Sequence, residues 1–224
     1  SPRTVSKGLL SDLPERSRHI LTDRFGLGAR GEERTLDAIG KEYGITRERI
    51  RQIEKHGLST VRDSSGYKEH SSSFEDLKRA LHALGAVLSD ETILSEIVDN
   101  ASDRKHLVFL LTVGHQFTDR REDNNYRARW LIDGQIADQV ERALASLCES
   151  IDINKLTPEE EFLQIFANAL KQEGIKNSPT EILSRWLKIS KRIGRNPLGE
   201  WGLIDSPHVR IKNTRDFAYL TLKR

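Results

Sequence analysis

Residues 35–57 read TLDAIGKEYGITRERIRQIEKHG, two helical runs broken by a turn of only four residues, and few folds accept an interruption that tight. Thr35 is placed to cap a short helix that carries Leu36, Ile39 and Tyr43 inward, and "YGIT" ends it. Thr46 then caps a second, longer helix. An earlier helix is expected from about Pro14 to Phe25, with Pro14 at the favoured first position and Gly26 suited to ending it. Three helices with a tight turn between the last two make a helix-turn-helix.

On the third helix, a wheel at about 100° per residue gathers Arg47, Glu48, Arg51, Gln52 and Lys55 within roughly 140°, while Ile50, Ile53, Gly57 and Val61 gather elsewhere. Arginine can donate two bonds to guanine, glutamine can pair both ways with adenine, and glutamate can accept from cytosine, so the polar set suits a major groove. A solvated amphipathic helix would show the same two faces, and the wheel alone leaves both readings open.

"LPERSRHILTDRFGL", followed by "TLDAIGKEYGITRERIRQIEKHGLSTVR", closely resembles region 4 of bacterial sigma factors of the sigma-70 class, the domain that reads the −35 promoter element. The resemblance spans residues 13–62. It implies that Arg47, Glu48 and Gln52 read bases of double-stranded DNA, and that Arg51, Arg16, Arg24, Thr35 and Lys55 meet its backbone. It also implies a grip on the β flap of the RNA polymerase core, for which Ile20, Leu21 and Phe25 are candidates; on the residues alone, each is equally a core position. One departure stands out. "HGLSTVR" puts His56 and Gly57 where the family has an alanine-rich basic stretch, and glycine costs about 1 kcal/mol inside a helix.

The charge distribution agrees with nucleic-acid contact at the ends. Residues 1–62 hold 13 basic and 9 acidic side chains, residues 63–177 hold 13 and 21, and residues 178–224 hold 10 and 4, so a net +2 conceals segments of +4, −8 and +6. Phosphate attraction favours the two basic segments. No apolar run approaches the roughly 20 residues of a membrane span and no signal-peptide pattern opens the chain, so a cytoplasmic address is expected. Methionine is absent even at position 1, which reads as a processed chain or a fragment.

The expected architecture is mainly α: the helix-turn-helix domain over 1–62, a linker over 63–73, a winged-helix-like module over 74–150 and a second over 151–224, each with a short β-hairpin. Residues 1–12 read as a patternless lead-in, and "DSSGYKEHSSS" as a flexible linker. Helices are expected near 74–87, 90–99 and 102–113, with strands in "HQFT" and "YRARWLI". A helix over 133–150 buries Ile136, Val140, Ala143, Leu144 and Leu147, with Cys148 in the same core. Thr157 is expected to cap the next helix with Pro158 first and Glu160 in a capping box. "NSPTEILSRWLKIS" reads as a further helix, and "GEWGLI" and "FAYLTLK" as strands that place Trp201 and Tyr219 in a hairpin core. "NPLGEWGLIDSP" with "RIKNTRDFAYLTL" resembles the winged end of HARE-HTH domains, a class seen in the δ subunit of some bacterial RNA polymerases and fused to sigma-like region 4 in some proteins.

The reading that follows is a sigma-like, sequence-specific transcription factor that also contacts polymerase. The alternative is a δ-like polymerase-associated subunit whose main partner is protein. Nothing resembles the aromatic, basic region with which sigma factors capture and melt the −10 element, so this chain alone should not open a promoter. No nucleophile, phosphate-loop or metal-ligand spacing is present, so neither catalysis, a cofactor nor a metal is expected. Lys188, Lys191, Arg192 and Arg195 read as one cationic helix face that could meet phosphate.

Overall fold

The computed structural model describes residues 1–209 apart from 30 and 99. In chain order the described elements are α1 (Pro2–Ser11), α2 (Glu15–Arg24), α3 (Leu36–Tyr43), α4 (Arg47–Asp63), α5 (Ser65–Glu69), α6 (Ser71–Ala83), β1 (Val87–Ser89), α7 (Asp90–Glu96), α8 (Ala101–Val113), β2 (Thr118–Arg120), β3 (Arg129–Leu131), α9 (Gly134–Ser150), β4 (Thr157–Pro158), α10 (Glu159–Gln172), α11 (Thr180–Leu187), β5 (Ile193–Arg195) and β6 (Glu200–Leu203). They fall into two compact units, Ser1–Ala80 with Ile93–Thr118, and Leu81–Thr92 with Asp119–Arg224.

In the first unit, Ile20 of α2, Ile39 of α3 and Ile50 of α4 are wholly buried against one another, with Leu36, Tyr43, Ile45 and Ile53 around them. Thr35 Oγ1 accepts from the Ala38 amide at 3.1 Å and Thr46 Oγ1 from the Arg49 amide at 3.2 Å, which fixes where α3 and α4 begin. Gly44 ends α3 in the left-handed region at φ 64°, as a tight helix stop requires. Gly40 has no room for a side chain, because a β-carbon there would lie 2.7 Å from the Ile45 carbonyl oxygen. Gly40→Ala should therefore push the turn apart and lower stability by about 1–3 kcal/mol, the usual range for overpacking. Chemical denaturation followed by far-UV circular dichroism checks this, and an unchanged midpoint would show that the turn can yield.

Residues 1–12 and 63–73 differ from the expectation. The first stretch is α1, whose Leu9 and Leu10 are buried. The second is no linker but the end of α4, α5 and the start of α6. Tyr67 is buried and stacks on Phe74 with ring centroids 4.6 Å apart, and the Gly66 amide donates to Asp12 Oδ2 at 3.0 Å. A serine-rich surface hides two aromatic anchors, one on α5 and one on α6.

α1 is also tied to α8 through a buried pair, Ser6 Oγ and His106 Nδ1 at 2.5 Å. Burial first, and then the nearby positive charge of Arg3, pushes the His106 pKa below its ordinary value; Lys7 adds to this and Asp103 opposes it. The native state favours neutral imidazole, whereas the unfolded chain takes up a proton near pH 6.5. The contribution of His106 is therefore complete above about pH 6.5 and is lost as pH falls through the lower native value. Melting temperature should drop on acidification across that window, and less so in His106→Gln; equal slopes for the two proteins would contradict this.

The second unit holds a larger core in which Val140, Leu144 and Leu147 of α9, Phe162 and Phe166 of α10, and Leu183, Trp186 and Leu187 of α11 are buried. Cys148 lies in this core as expected, and burial pushes its thiol pKa up. Trp201 is buried and stacks on Phe162 at 5.6 Å. Thr157 does not cap α10: it pairs with Trp201 in β4, and Pro158 stands at the cap with no side-chain bond. "FAYLTLK" and Tyr219 lie outside the described residues.

Two antiparallel sheets run in the orders β1-β3-β2 and β4-β6-β5. Each follows the same element sequence: helix, strand, two helices, two strands. The repeated order is that of a winged helix. That order is expected of both modules from the sequence, but strands β1 and β4 are not, because they have only two or three residues and pair with partners far along the chain, as in Val87 opposite Leu131 and Thr157 opposite Trp201. Inside the stretch expected as one helix over 74–87, the chain instead leaves α6 through Gly85 at φ 131° and Ala86 at φ 63° to begin β1.

Candidate nucleic-acid interface

α4 divides as the wheel predicts. Ile50 and Val61 are fully buried and Gly57 is buried, while Arg47, Glu48, Arg51, Gln52 and Lys55 are all exposed. Gly57 has a packing role: a β-carbon there would sit 3.2 Å from Leu21 Cδ1, so its absence lets α2 approach α4.

The exposed groups are already ordered among themselves. Arg51 donates to both oxygens of Glu48, from Nε at 2.8 Å and Nη2 at 2.7 Å. This hydrogen bonding holds the Glu48 carboxyl below the usual carboxylate range and raises Arg51. Arg49 Nη1 donates to Gln52 Oε1 at 3.1 Å, and Gln52 also hydrogen-bonds toward the Glu48 carboxylate. Arg47 lies 3.7 Å from Asp37 at the start of α3. All these pairs are solvent-exposed and contribute little to stability, so DNA groups can exchange with them.

Arg49 escaped the wheel, since it sits about 200° from Arg47, outside the polar stripe. Its i,i+3 relation to Gln52 is the signal that could have found it. Thr35 lies beside the stripe through the Asp37–Arg47 contact, its hydroxyl spent on capping α3. Arg24 is a strut, with Nε 3.3 Å from Glu54 Oε1 on α4 and Nη1 donating to the Arg34 carbonyl at 3.3 Å. Arg16 stands at the opposite end of α2, its guanidinium 5.7 Å from the centre of the Tyr43 ring.

Two of the three apolar candidates for polymerase contact are sealed in the core. Ile20 and Leu21 are fully buried, and the Phe25 ring packs edge-on against Phe109 at 5.3 Å. Ile20 and Leu21 are spent on the fold of the first unit, while Phe25 is only half-buried. The cationic face expected at the chain end is also divided. Lys188 closes α11, Lys191 and Arg192 follow it, and Arg195 lies on β5 with Nη2 2.7 Å from Glu159. Among the described residues no group of three His, Cys, Asp or Glu side chains could hold a metal, and no helix is long and apolar enough to cross a membrane.

A capped helix with an exposed polar stripe, packed on two shorter helices through a tight turn, defines a helix-turn-helix domain. Residues 9–63 match the family Sigma-70, region 4. Over this region the chain is similar to sigma factors: it is 54% identical over 50 residues to the RNA polymerase principal sigma factor HrdD of Streptomyces viridifaciens, covering 22% of this chain and 15% of that protein. It is 48% identical over 60 residues to the RNA polymerase sigma factor SigA of a Bacillus species, covering 27% of this chain and 16% of that one. The chain thus spans about one sixth of the length of these relatives. No solved structure matches.

Proposed function

We propose that this chain is a sequence-specific, sigma-like DNA-binding transcription factor that places α4 in the major groove of a −35-like promoter element. The observation that carries the reading is the exposed row Arg47, Glu48, Arg51, Gln52 on a helix whose opposite face is sealed in a core, within residues that match region 4. Arg47, Glu48 and Gln52 read base edges, with Gln52 oriented by Arg49. Arg51, Lys55, Thr35, Arg24 and Arg16 serve the backbone; the amides at the start of α3 are suited to phosphate.

Association with the RNA polymerase core is part of the same reading, supported by the similarity to sigma factors. Because Ile20 and Leu21 are occupied in the fold, any β-flap contact falls to half-buried Phe25 and to exposed residues of the first unit. The C-terminal modules, with their winged-helix element order, make a second contact, as their HARE-HTH resemblance suggests.

Arg47→Ala and Gln52→Ala should each relax discrimination at one base pair by about 1–3 kcal/mol with folding intact, whereas Arg51→Ala should weaken all duplexes alike. Titrations against duplexes carrying single base-pair changes separate the two effects. Unchanged discrimination in the first pair of variants would remove the base-reading assignment.

A further inference from the structure

The second unit carries a cationic ribbon that no part of the region 4 reading uses. The connection from β2 to β3 lies along the segment that follows α11, joined by two backbone bonds: Arg127 N–H to the Ile189 carbonyl at 2.9 Å and Lys191 N–H to the Asn125 carbonyl at 2.8 Å. Tyr126 and Ser190 form the bridge between them. Tyr126 turns inward and donates its hydroxyl to the Glu141 carbonyl at 2.7 Å, while Ser190 is buried. This pairing fixes Arg127 beside Lys188, Lys191 and Arg192, residues more than 60 positions away in sequence.

Arg127, Lys188 and Arg192 are exposed, and none has a side-chain hydrogen bond or ion pair among the described residues. Lys191 differs, since its Nζ donates to Glu122 at 2.7 Å and to the Asp123 carbonyl at 3.1 Å. Glu122 is held by Lys191 and also lies in the field of Arg127, and Asp123 is held by Arg129 and the amides of Asn125 and Tyr126. Lys188 to Arg192 span at most about 14 Å of chain, comparable to the axial rise of about four base pairs of a duplex.

One side of α11 is covered within the second unit. Trp186 Nε1 donates to the Gly85 carbonyl at 2.9 Å and Arg185 Nη1 to the Leu84 carbonyl at 3.5 Å, so the residues leading into β1 cover that side.

We propose that Arg127, Lys188, Lys191 and Arg192 form a second duplex-DNA contact, made to the phosphate backbone without base preference. A row of four cations held on a paired backbone, with only Lys191 in an ion pair among the described residues and that one exposed to solvent, suits a regular array of phosphates, and it needs no pocket. The site goes beyond base reading by α4 and does not rest on it.

The test is the salt dependence of duplex affinity for the full chain and for the variant Arg127→Gln, Lys188→Gln, Arg192→Gln. Each lost phosphate contact should flatten the log–log slope by about 0.9, so the variant's slope should fall by about 2.7. Affinity should drop equally for every duplex, with base preference retained. The charge-conserving Arg127→Lys, Arg192→Lys variant should keep the full slope, which separates charge from folding. An unchanged slope in the neutral variant overturns the proposal, and so does loss of binding to RNA polymerase core with the DNA slope intact, which would make the ribbon a contact for an acidic protein surface. Loss of base preference in Arg47→Ala with the ribbon's slope contribution intact has no bearing on the ribbon, and so the two assignments fail separately.

Discussion

Replacing Arg129 by alanine is expected to cost about 3–5 kcal/mol and to unfold much of the second unit, because the side chain is a charge sealed inside protein. It is 1% exposed. Nε donates to Glu141 at 2.7 Å and Nη2 to Asp123 at 3.3 Å, while Nη1 reaches the carbonyls of Arg127 at 3.0 Å and Arg121 at 3.5 Å. The guanidinium also lies 4.9 Å from the centre of the Tyr126 ring. Truncation would leave these acceptors facing a void, with Glu141 retaining only Arg120. Arg129→Lys would keep the charge and lose the fork that reaches four acceptors at once, so it should rescue little. Trp130, Trp186 and Trp201, the chain's three tryptophans, all lie in this unit, and a denaturant titration followed by their fluorescence reads the effect directly. A midpoint within error of the unaltered protein would mean that the ion cluster is dispensable.

The second large effect is expected at Ile50→Ala. Ile50 closes the small core against Ile20 and Ile39 with no solvent exposure, and truncating a buried isoleucine costs about 2–5 kcal/mol. Three helices have little other apolar surface to share, so α3 and α4 should lose amide-exchange protection together. The substitution leaves Arg47, Glu48, Arg51 and Gln52 untouched, so the folded fraction should keep its base preference while apparent affinity falls with the folded population. Retained protection in α3 and α4 would show that the core tolerates the cavity. A changed base preference would mean that Ile50 shapes the reading face directly.

The helix-turn-helix was readable because its signals are local. Thr35, Gly44 and Thr46 mark three helix ends by cap chemistry alone, and α4's two faces follow from spacing within one element. What escaped reading depends on partners distant in sequence. Arg129 looked like one polar residue in an alternating strand, and only Glu141 and Asp123 make its burial possible. The helices over 65–83 were concealed by serines that face solvent, while Tyr67 and Phe74 carry the packing. Thr157 has the residue type of a cap, yet pairing with Trp201 draws it into a strand. In the cationic cluster near the chain end, β5 takes Arg195 away and the β2–β3 connection supplies Arg127 instead, a pairing that no local pattern signals.

Base reading rests on one helix, α4, and unbiased selection of duplexes from a random pool by the full chain tests that helix most directly. At moderate salt the unaltered protein should enrich one short motif related to a −35 element, and the Arg47→Ala, Gln52→Ala protein should enrich a degenerate version of it. Recovery of the pool unchanged, or of the same sharp motif by both proteins, would contradict base reading by α4.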